Sequence, residues 1–356
     1  MKVYNFYAGP AILPKEVFAE ASKAVVDFNG IGMSILEISH RSKDFVAVME
    51  EAQSLAKELL DIPEGYEVLF LQGGASSQFL MTAMNLLGEN EEAGYVDTGS
   101  WSAKAIKEAK MFGGVQVLAS SKDANYTYIP KDYAIPENLK YLHLTSNNTI
   151  FGTQYSEFPD TNVPIIADMS SDIFSRKLPI DKFSVIYAGA QKNMGPSGTT
   201  MVIVKKDFVE KNVRDLPTML DYKTHLNKGS MFNTPPVFPV YVSMLTMRWL
   251  KANGGVEAAA ERNQAKADLL YNAINNSELF YTNVAEADQS KMNVVFLMKK
   301  EELMDDFLTA CANAGCVGVK GHRSVGGFRA SIYNAMKLEG VQTLVDVMQS
   351  FEQKHA

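Results

Sequence analysis

Cysteine is scarce in this 356-residue chain, with only Cys311 and Cys316 present. Their spacing has no second cysteine or histidine cluster to complete a zinc site, so no metal is expected and the pair reads as buried thiols in a reducing compartment. Long apolar runs are also missing. No stretch reaches the roughly 18 to 20 residues a membrane-spanning helix needs, and Met1-Lys2-Val3-Tyr4-Asn5-Phe6 lacks the apolar core of a signal peptide. These absences point to a cytoplasmic protein with no membrane partner. With a net charge of −7, the chain has no general positive face for nucleic acid or acidic lipid, so any anion site must be a local cluster. Repeats, low-complexity tracts and long charge blocks are lacking as well. Neither G-x-G-x-x-G after a strand nor G-x-x-x-x-G-K-[ST] occurs, which argues against dinucleotide and P-loop nucleotide sites. Gly30-Ile31-Gly32 does not follow a predicted strand.

What is present is 46% hydrophobic residues in a chain long enough for a large core and more than one structural unit. The first two-thirds alternates strand and helix. Apolar runs at Val68–Leu71, Tyr95–Asp97, Val115–Leu118, Tyr141–Leu144, Pro164–Asp168, Val185–Tyr187 and Thr200–Val204 predict seven strands, with helices such as Phe45–Leu60 and Trp101–Phe112 between several of them. That is the pattern of an α/β fold, a mainly parallel sheet between helices. A helix is predicted from Pro235-Pro236 to about Lys251, stopped by Asn253-Gly254-Gly255. The boundary is placed there: an N-terminal segment 1–15 packing near the active site, a large unit 16–254, and a smaller α+β unit 255–356. The last is predicted to hold a helix over Val256–Asn275, a strand at Val294–Met298, a helix near Glu301–Ala314, a strand at Arg329–Tyr333 and a helix from Leu338.

Ligands of open α/β sheets bind outside the carboxyl ends of the strands, and four such ends carry chemistry. Val68–Leu71 runs into Gln72-Gly73-Gly74-Ala75-Ser76-Ser77 and a helix, presenting free backbone N–H groups and hydroxyls to an anion; a Gly-Gly before a helix is also an ordinary tight turn. Pro164–Ala167 delivers Asp168, either a helix cap or a counter-charge for a protonated ring nitrogen. Val185–Tyr187 leads to Lys192 among small residues, where a desolvated amine loses its proton more easily. Tyr95–Asp97 leads to Trp101, which is either core or a flat face for a flat cofactor. An acid for a ring nitrogen, an amine for an aldehyde, an anion cup and an aromatic lid together describe pyridoxal 5′-phosphate.

Phe6-Tyr7-Ala8-Gly9-Pro10-Ala11, Ser39-His40-Arg41-Ser42, Tyr187-Ala188-Gly189-Ala190-Gln191-Lys192-Asn193, Phe232-Asn233-Thr234-Pro235-Pro236, Gly321-His322-Arg323 and Arg329-Ala330-Ser331-Ile332-Tyr333-Asn334 resemble the phosphoserine aminotransferase family of fold-type I pyridoxal-phosphate enzymes. The likeness covers essentially the whole chain. It implies that Lys192 bonds the cofactor aldehyde, Asp168 partners the ring nitrogen, Trp101 stacks on the ring and Thr149 lies near the ring hydroxyl. Ala75, Ser76 and Gln191 would hold the phosphate, with Asn233 and Thr234 reaching it from the partner subunit of a homodimer. On the substrate side it implies Arg329 for the α-carboxylate, and His40, Arg41, His322 and Arg323 for the distal anion, since guanidinium forks match carboxylate and phosphate. The implied reaction exchanges an amino group between L-glutamate and 3-phosphohydroxypyruvate, giving 2-oxoglutarate and O-phospho-L-serine, as serine biosynthesis requires; a related step of pyridoxine biosynthesis stays open. Ser76 and Ala8 depart from relatives that carry arginine and serine there, so one positive charge is missing near the substrate phosphate. The rival readings are an alanine–glyoxylate aminotransferase, a cysteine desulfurase using Cys316, and a non-catalytic small-molecule binder.

Overall fold

Each of the seven apolar runs becomes a strand of one sheet. The computed structural model describes residues 2–211 and 213–355. In chain order, β1 (Tyr4–Asn5) precedes α1 (Lys15–Val26) and α2 (Lys43–Leu59), after which β2 (Tyr66–Leu71), α3 (Gly74–Leu86), β3 (Glu92–Asp97), α4 (Ser100–Ala109) and β4 (Gly114–Ser120) alternate. The strands β5 (Leu142–Thr145), β6 (Asn147–Asn148), β7 (Thr153–Gln154), β8 (Ile165–Asp168), β9 (Phe183–Gly189) and β10 (Thr200–Lys205) follow, then the helices α5 (Lys206–Val209), α6 (Tyr222–Asn227) and α7 (Val237–Ala252). The remainder comprises α8 (Gly255–Asn275), β11 (Phe280–Tyr281), β12 (Asn293–Met298), α9 (Met304–Asn313), β13 (Cys316–Val317), β14 (Phe328–Ser331) and α10 (Leu338–His355).

The large sheet runs β2-β10-β9-β8-β5-β3-β4, parallel except for β10, which is antiparallel to both neighbours. Every residue of β8 and β9 is buried, as expected of strands covered on both faces, where no polar alternation is needed. One face packs on α1, α2 and α7 through residues such as Val17, Met49 and Leu245, and the other on α3 and α4 through Phe79 and Ile106. This arrangement sets the carboxyl ends of β8 and β9 side by side, paired in register at Asp168 and Tyr187.

A separate core lies between β11-β12-β14 and the helices α8, α9 and α10. Helix α8 serves two cores: Val256 and Ala259 face the large one, while Ala267, Leu270 and Ile274 face the smaller. The N-terminal segment joins the smaller core through Tyr4 and Phe6, with β1 pairing parallel to β13. Several predicted ends shift. The helix of Trp101–Phe112 stops at Ala109 in a turn before Gly113, and the helix near Glu301–Ala314 begins at Met304 after a 3-10 turn over Glu301–Leu303. The strand Arg329–Tyr333 ends at Ser331, because the carbonyls of Ile332 and Tyr333 accept from Lys266 instead of a neighbouring strand.

Candidate active site

The turn after β9 is tight. The N–H groups of Lys192 and Gly195 both donate to the Ala190 carbonyl at 2.7 Å, which turns the Lys192 side chain inward. Its Nζ donates to Thr149 Oγ1 at 2.8 Å and Ser171 Oγ at 2.7 Å. Burial pushes the amine down to about 8, opposed by the charge of Asp168 and assisted by that of Arg329. Asp168 is 6% exposed at the end of β8. Its Oδ1 accepts from the Ser170 N–H at 2.9 Å, so the turn-capping bond of the bland reading is present. Burial nevertheless raises its pKa, more than the Ser170 bond and the Lys192 charge lower it. A carboxylate in that condition favours a cation placed against it.

Helix α3 begins on Gly73, which adopts φ +90°; a Cβ there would meet Ser77 Oγ at 2.0 Å, so glycine is required. No side chain caps this helix and its first turn holds no acid. The N–H groups of Gly74, Ala75 and Ser76 therefore lack intrahelical acceptors and meet no competing negative charge, the condition an anion needs. Ser76 is exposed. Asn233 lines a cavity of about 260 Å³ with Gly73 and Ser77 of its own chain, and the Thr234 carbonyl accepts from Gln72 Nε2 at 2.8 Å. The Thr234 side chain stays exposed. Half-buried Gln191 accepts at its carbonyl from the Ala11 N–H at 2.9 Å, which draws the N-terminal segment beside Lys192.

Trp101 is the second residue of α4 and half-buried, with its indole Nε1 buried and unpartnered among the described residues. The Lys104 ammonium sits 4.3 Å from its ring centre. Arg329 on β14 donates from Nη1 to the Thr149 carbonyl at 3.2 Å, so Thr149 touches Lys192 through its hydroxyl and Arg329 through its backbone. The Arg329 Nε is buried and unpartnered among the described residues. His322 is held below its ordinary value by burial first, then by the charges of Arg329, Arg323 and Lys104. Arg329, Arg323 and Lys104 thus surround His322 with positive charge, which favours its neutral form. His40 and Arg41 lie in the turn before α2: His40 Nε2 is buried and unpartnered among the described residues, and Arg41 is exposed. Among the described residues no hydrogen bond or ion pair joins either to Lys192 or Arg329.

Sequence reasoning gave no role to Ser171, Asn193 or Lys104. Ser171 stood in the hydroxyl run after Asp168, a usable signal; it holds the lysine amine, and Asn193 Nδ2 holds the Ser171 carbonyl at 3.2 Å. Lys104 had no signal beyond lying one helical turn after Trp101. Cys311 and Cys316 are 1% and 2% exposed, and burial pushes their thiols up to about 12 and about 11, opposite to what a reactive desulfurase thiol needs.

A buried amine of lowered pKa, a buried carboxylate wanting a cation, an uncapped helix N-terminus and an indole at the start of α4 are the donor set pyridoxal 5′-phosphate requires, and the residues fit it. The chain belongs to the aminotransferase class-V family, whose model matches residues 3–344. It is 60% identical over 355 residues to the phosphoserine aminotransferase of Flavobacterium johnsoniae, covering 99% of this chain and 100% of that one. Its fold matches the phosphoserine aminotransferase of Bacillus circulans subsp. alkalophilus with a TM-score of 0.97 at 48% identity, covering 100% and 99% of the two chains. It also matches the PLP-bound phosphoserine aminotransferase of Trichomonas vaginalis with a TM-score of 0.93 at 35% identity, covering 98% and 100%. Among class-V aminotransferases, then, the chain falls with the phosphoserine aminotransferases: it is a fold-type I, pyridoxal-phosphate-dependent aminotransferase. No helix among the described residues is long and apolar enough to cross a membrane.

Proposed function

We propose that this chain transfers the amino group of L-glutamate to 3-phosphohydroxypyruvate by a ping-pong scheme, with 2-oxoglutarate leaving before the phosphorylated keto acid enters and O-phospho-L-serine is formed. Serine biosynthesis is the use this reaction implies, and a paired assay with the phosphorylated hydroxy-threonine precursor of pyridoxine decides whether it is a second substrate. The observation that carries the reading is the meeting of Lys192 and Arg329 on Thr149, an amine and an α-carboxylate receptor one residue apart.

When bound, pyridoxal phosphate supplies an aldehyde that takes up amines and a ring that withdraws electrons from the substrate α-carbon. Lys192 Nζ, held by Thr149 and Ser171 and easily deprotonated, takes the α-proton and returns it. Asp168 would hold a proton on the ring nitrogen, and Trp101 would offer its indole face to the ring. The free N–H groups of Ala75 and Ser76, with Gln191, bind the phosphate. Asn233 and Thr234 reach it from the second subunit of a homodimer; the exposed Thr234 side chain supports an outward role. Arg329 orients the α-carboxylate, while His40, Arg41, His322 and Arg323 receive the distal carboxylate or phosphate. The large unit 16–254 thereby carries the cofactor, the segment 1–15 packs beside Lys192 through the Ala11 bond to Gln191, and the unit 255–356 supplies Arg329, His322 and Arg323. Initial velocities with both substrates varied should give parallel reciprocal plots; intersecting lines overturn the ping-pong reading.

A further inference from the structure

Lys266 is a lysine that the reaction above does not use. It lies mid-helix on α8, is 1% exposed, and forms no ion pair among the described residues. Burial, and then the charge of Arg262, push its amine down to about 7. A methionine or leucine would occupy this buried position without that desolvation cost. What the amine does there is donate to the carbonyls of Ile332 and Tyr333, both at 2.7 Å. These residues directly follow β14, the strand that carries Arg329.

The next residue continues the connection. Asn334 donates its backbone N–H to Asn193 Oδ1 at 2.9 Å and its side-chain amide to the Phe174 carbonyl at 2.8 Å. Asn263, three residues before Lys266 and so on the same helix face, donates to Asn334 Oδ1 at 2.8 Å and to the Ser175 carbonyl at 3.1 Å. Asn193 adjoins Lys192 and holds the carbonyl of Ser171, whose hydroxyl holds the Lys192 amine. One face of α8 therefore fastens the end of the Arg329 strand to the turn that carries Lys192.

We propose that Lys266 is a positioning residue: by gripping the carbonyls of Ile332 and Tyr333, and with Asn263 and Asn334 beside it, it fixes Arg329 relative to Lys192. The inference rests on the assignment of Arg329 to the substrate α-carboxylate. Lys266→Met keeps the length and volume of the side chain and removes its donors. In the cofactor-loaded enzyme it should raise KM for both glutamate and phosphoserine by roughly tenfold, with kcat changing less than about threefold. Amide exchange over 332–336 should quicken while the rest of α8 stays protected.

A double-mutant cycle separates positioning from mere support of the fold. Because Lys266 acts through Arg329, adding Lys266→Met to Arg329→Ala should cost less than about twofold beyond Arg329→Ala alone. Multiplying losses, or an unchanged KM in Lys266→Met, would overturn the proposal while leaving Arg329 in its role. If Arg329→Ala itself spares both substrates, the carboxylate assignment fails and the positioning proposal fails with it. Should Lys266→Met not fold, Asn263→Ala reads the same connection without disturbing the buried amine, and an unchanged KM there also counts against the proposal.

Discussion

Lys192 and Lys266 are both buried, neither forms an ion pair among the described residues, and both amines are pushed below the usual lysine range, to about 8 and about 7. Only their places differ. Lys192 leaves the carboxyl end of a central parallel strand, beside the uncapped start of α3 and the carboxylate of Asp168, where a ligand has both access and a charge to meet. Lys266 sits in the middle of a helix with its donors spent on two backbone carbonyls. A depressed pKa therefore does not make a lysine catalytic. On the proposed reading, position at the sheet edge does, and the other lysine holds the frame.

The sharpest way to break this contrast is to remove each amine. Lys192→Ala should lower transamination on the order of 10⁴-fold, since Lys192 is the buried amine held by Thr149 and Ser171 to bond the aldehyde and move the α-proton, whereas Lys266→Met should leave kcat nearly intact. Steady-state assays of the two variants decide it, and comparable losses in kcat would erase the distinction. Asp168→Ala should cost roughly 10²-fold in kcat, because the ring nitrogen loses its counter-charge. A full-speed variant would reduce Asp168 to the turn cap that its bond to Ser170 also makes it.

Substrate choice comes next in size. A charge-assisted hydrogen bond to a phosphate monoester contributes about 1.5 to 3 kcal/mol, so Arg41→Ala or Arg323→Ala should cut kcat/KM for phosphoserine and glutamate by roughly 10- to 100-fold. Alanine, which lacks the distal anion, should be poor at the outset and little changed. Arg329→Ala should harm all three. Equal losses for alanine and phosphoserine in the distal variants would show that those arginines support the fold instead. For the subunit question, mixing Lys192→Ala with an Asn233→Ala/Thr234→Ala variant should restore activity, since one site in each heterodimer escapes both changes. Exchange of subunits without recovery would place the phosphate site within one chain.

A further prediction concerns stability without cofactor. The Lys192 amine has a folded pKa of about 8, below its value of 10.5 when exposed, so between those values the unfolded chain binds more protons. Stability of the parent should then rise with pH across that window, relative to Lys192→Met, by at most about 3 kcal/mol. Denaturant melts at pH 7.5 and 10 measure the difference; a constant gap would mean that the amine titrates normally. The contribution of Lys266 is common to both proteins and cancels.

Much of this was legible before folding because the large sheet is buried on both faces. Continuous apolar runs marked its strands, and what followed each run marked Asp168, Lys192, Trp101 and the start of α3. Strand order was not legible, since the pairing of β2 with β10 depends on contacts across 129 residues in sequence at Leu71 and Thr200. Nor was Lys266: a lysine in an amphipathic helix reads as part of its solvated face, and only the fold reveals that α8 turns this side toward two carbonyls. Arg329 was located by family likeness alone, because a half-buried arginine on a short strand has no pattern of its own.

Borohydride treatment of the cofactor-loaded protein, followed by peptide mass spectrometry, tests the contrast between the two lysines directly. Reduction should fix the cofactor to the peptide containing Lys192 and leave the Lys266 peptide unmodified. Cofactor found on Lys266, or on no lysine at all, would contradict the assignment of the reactive amine to the carboxyl end of β9.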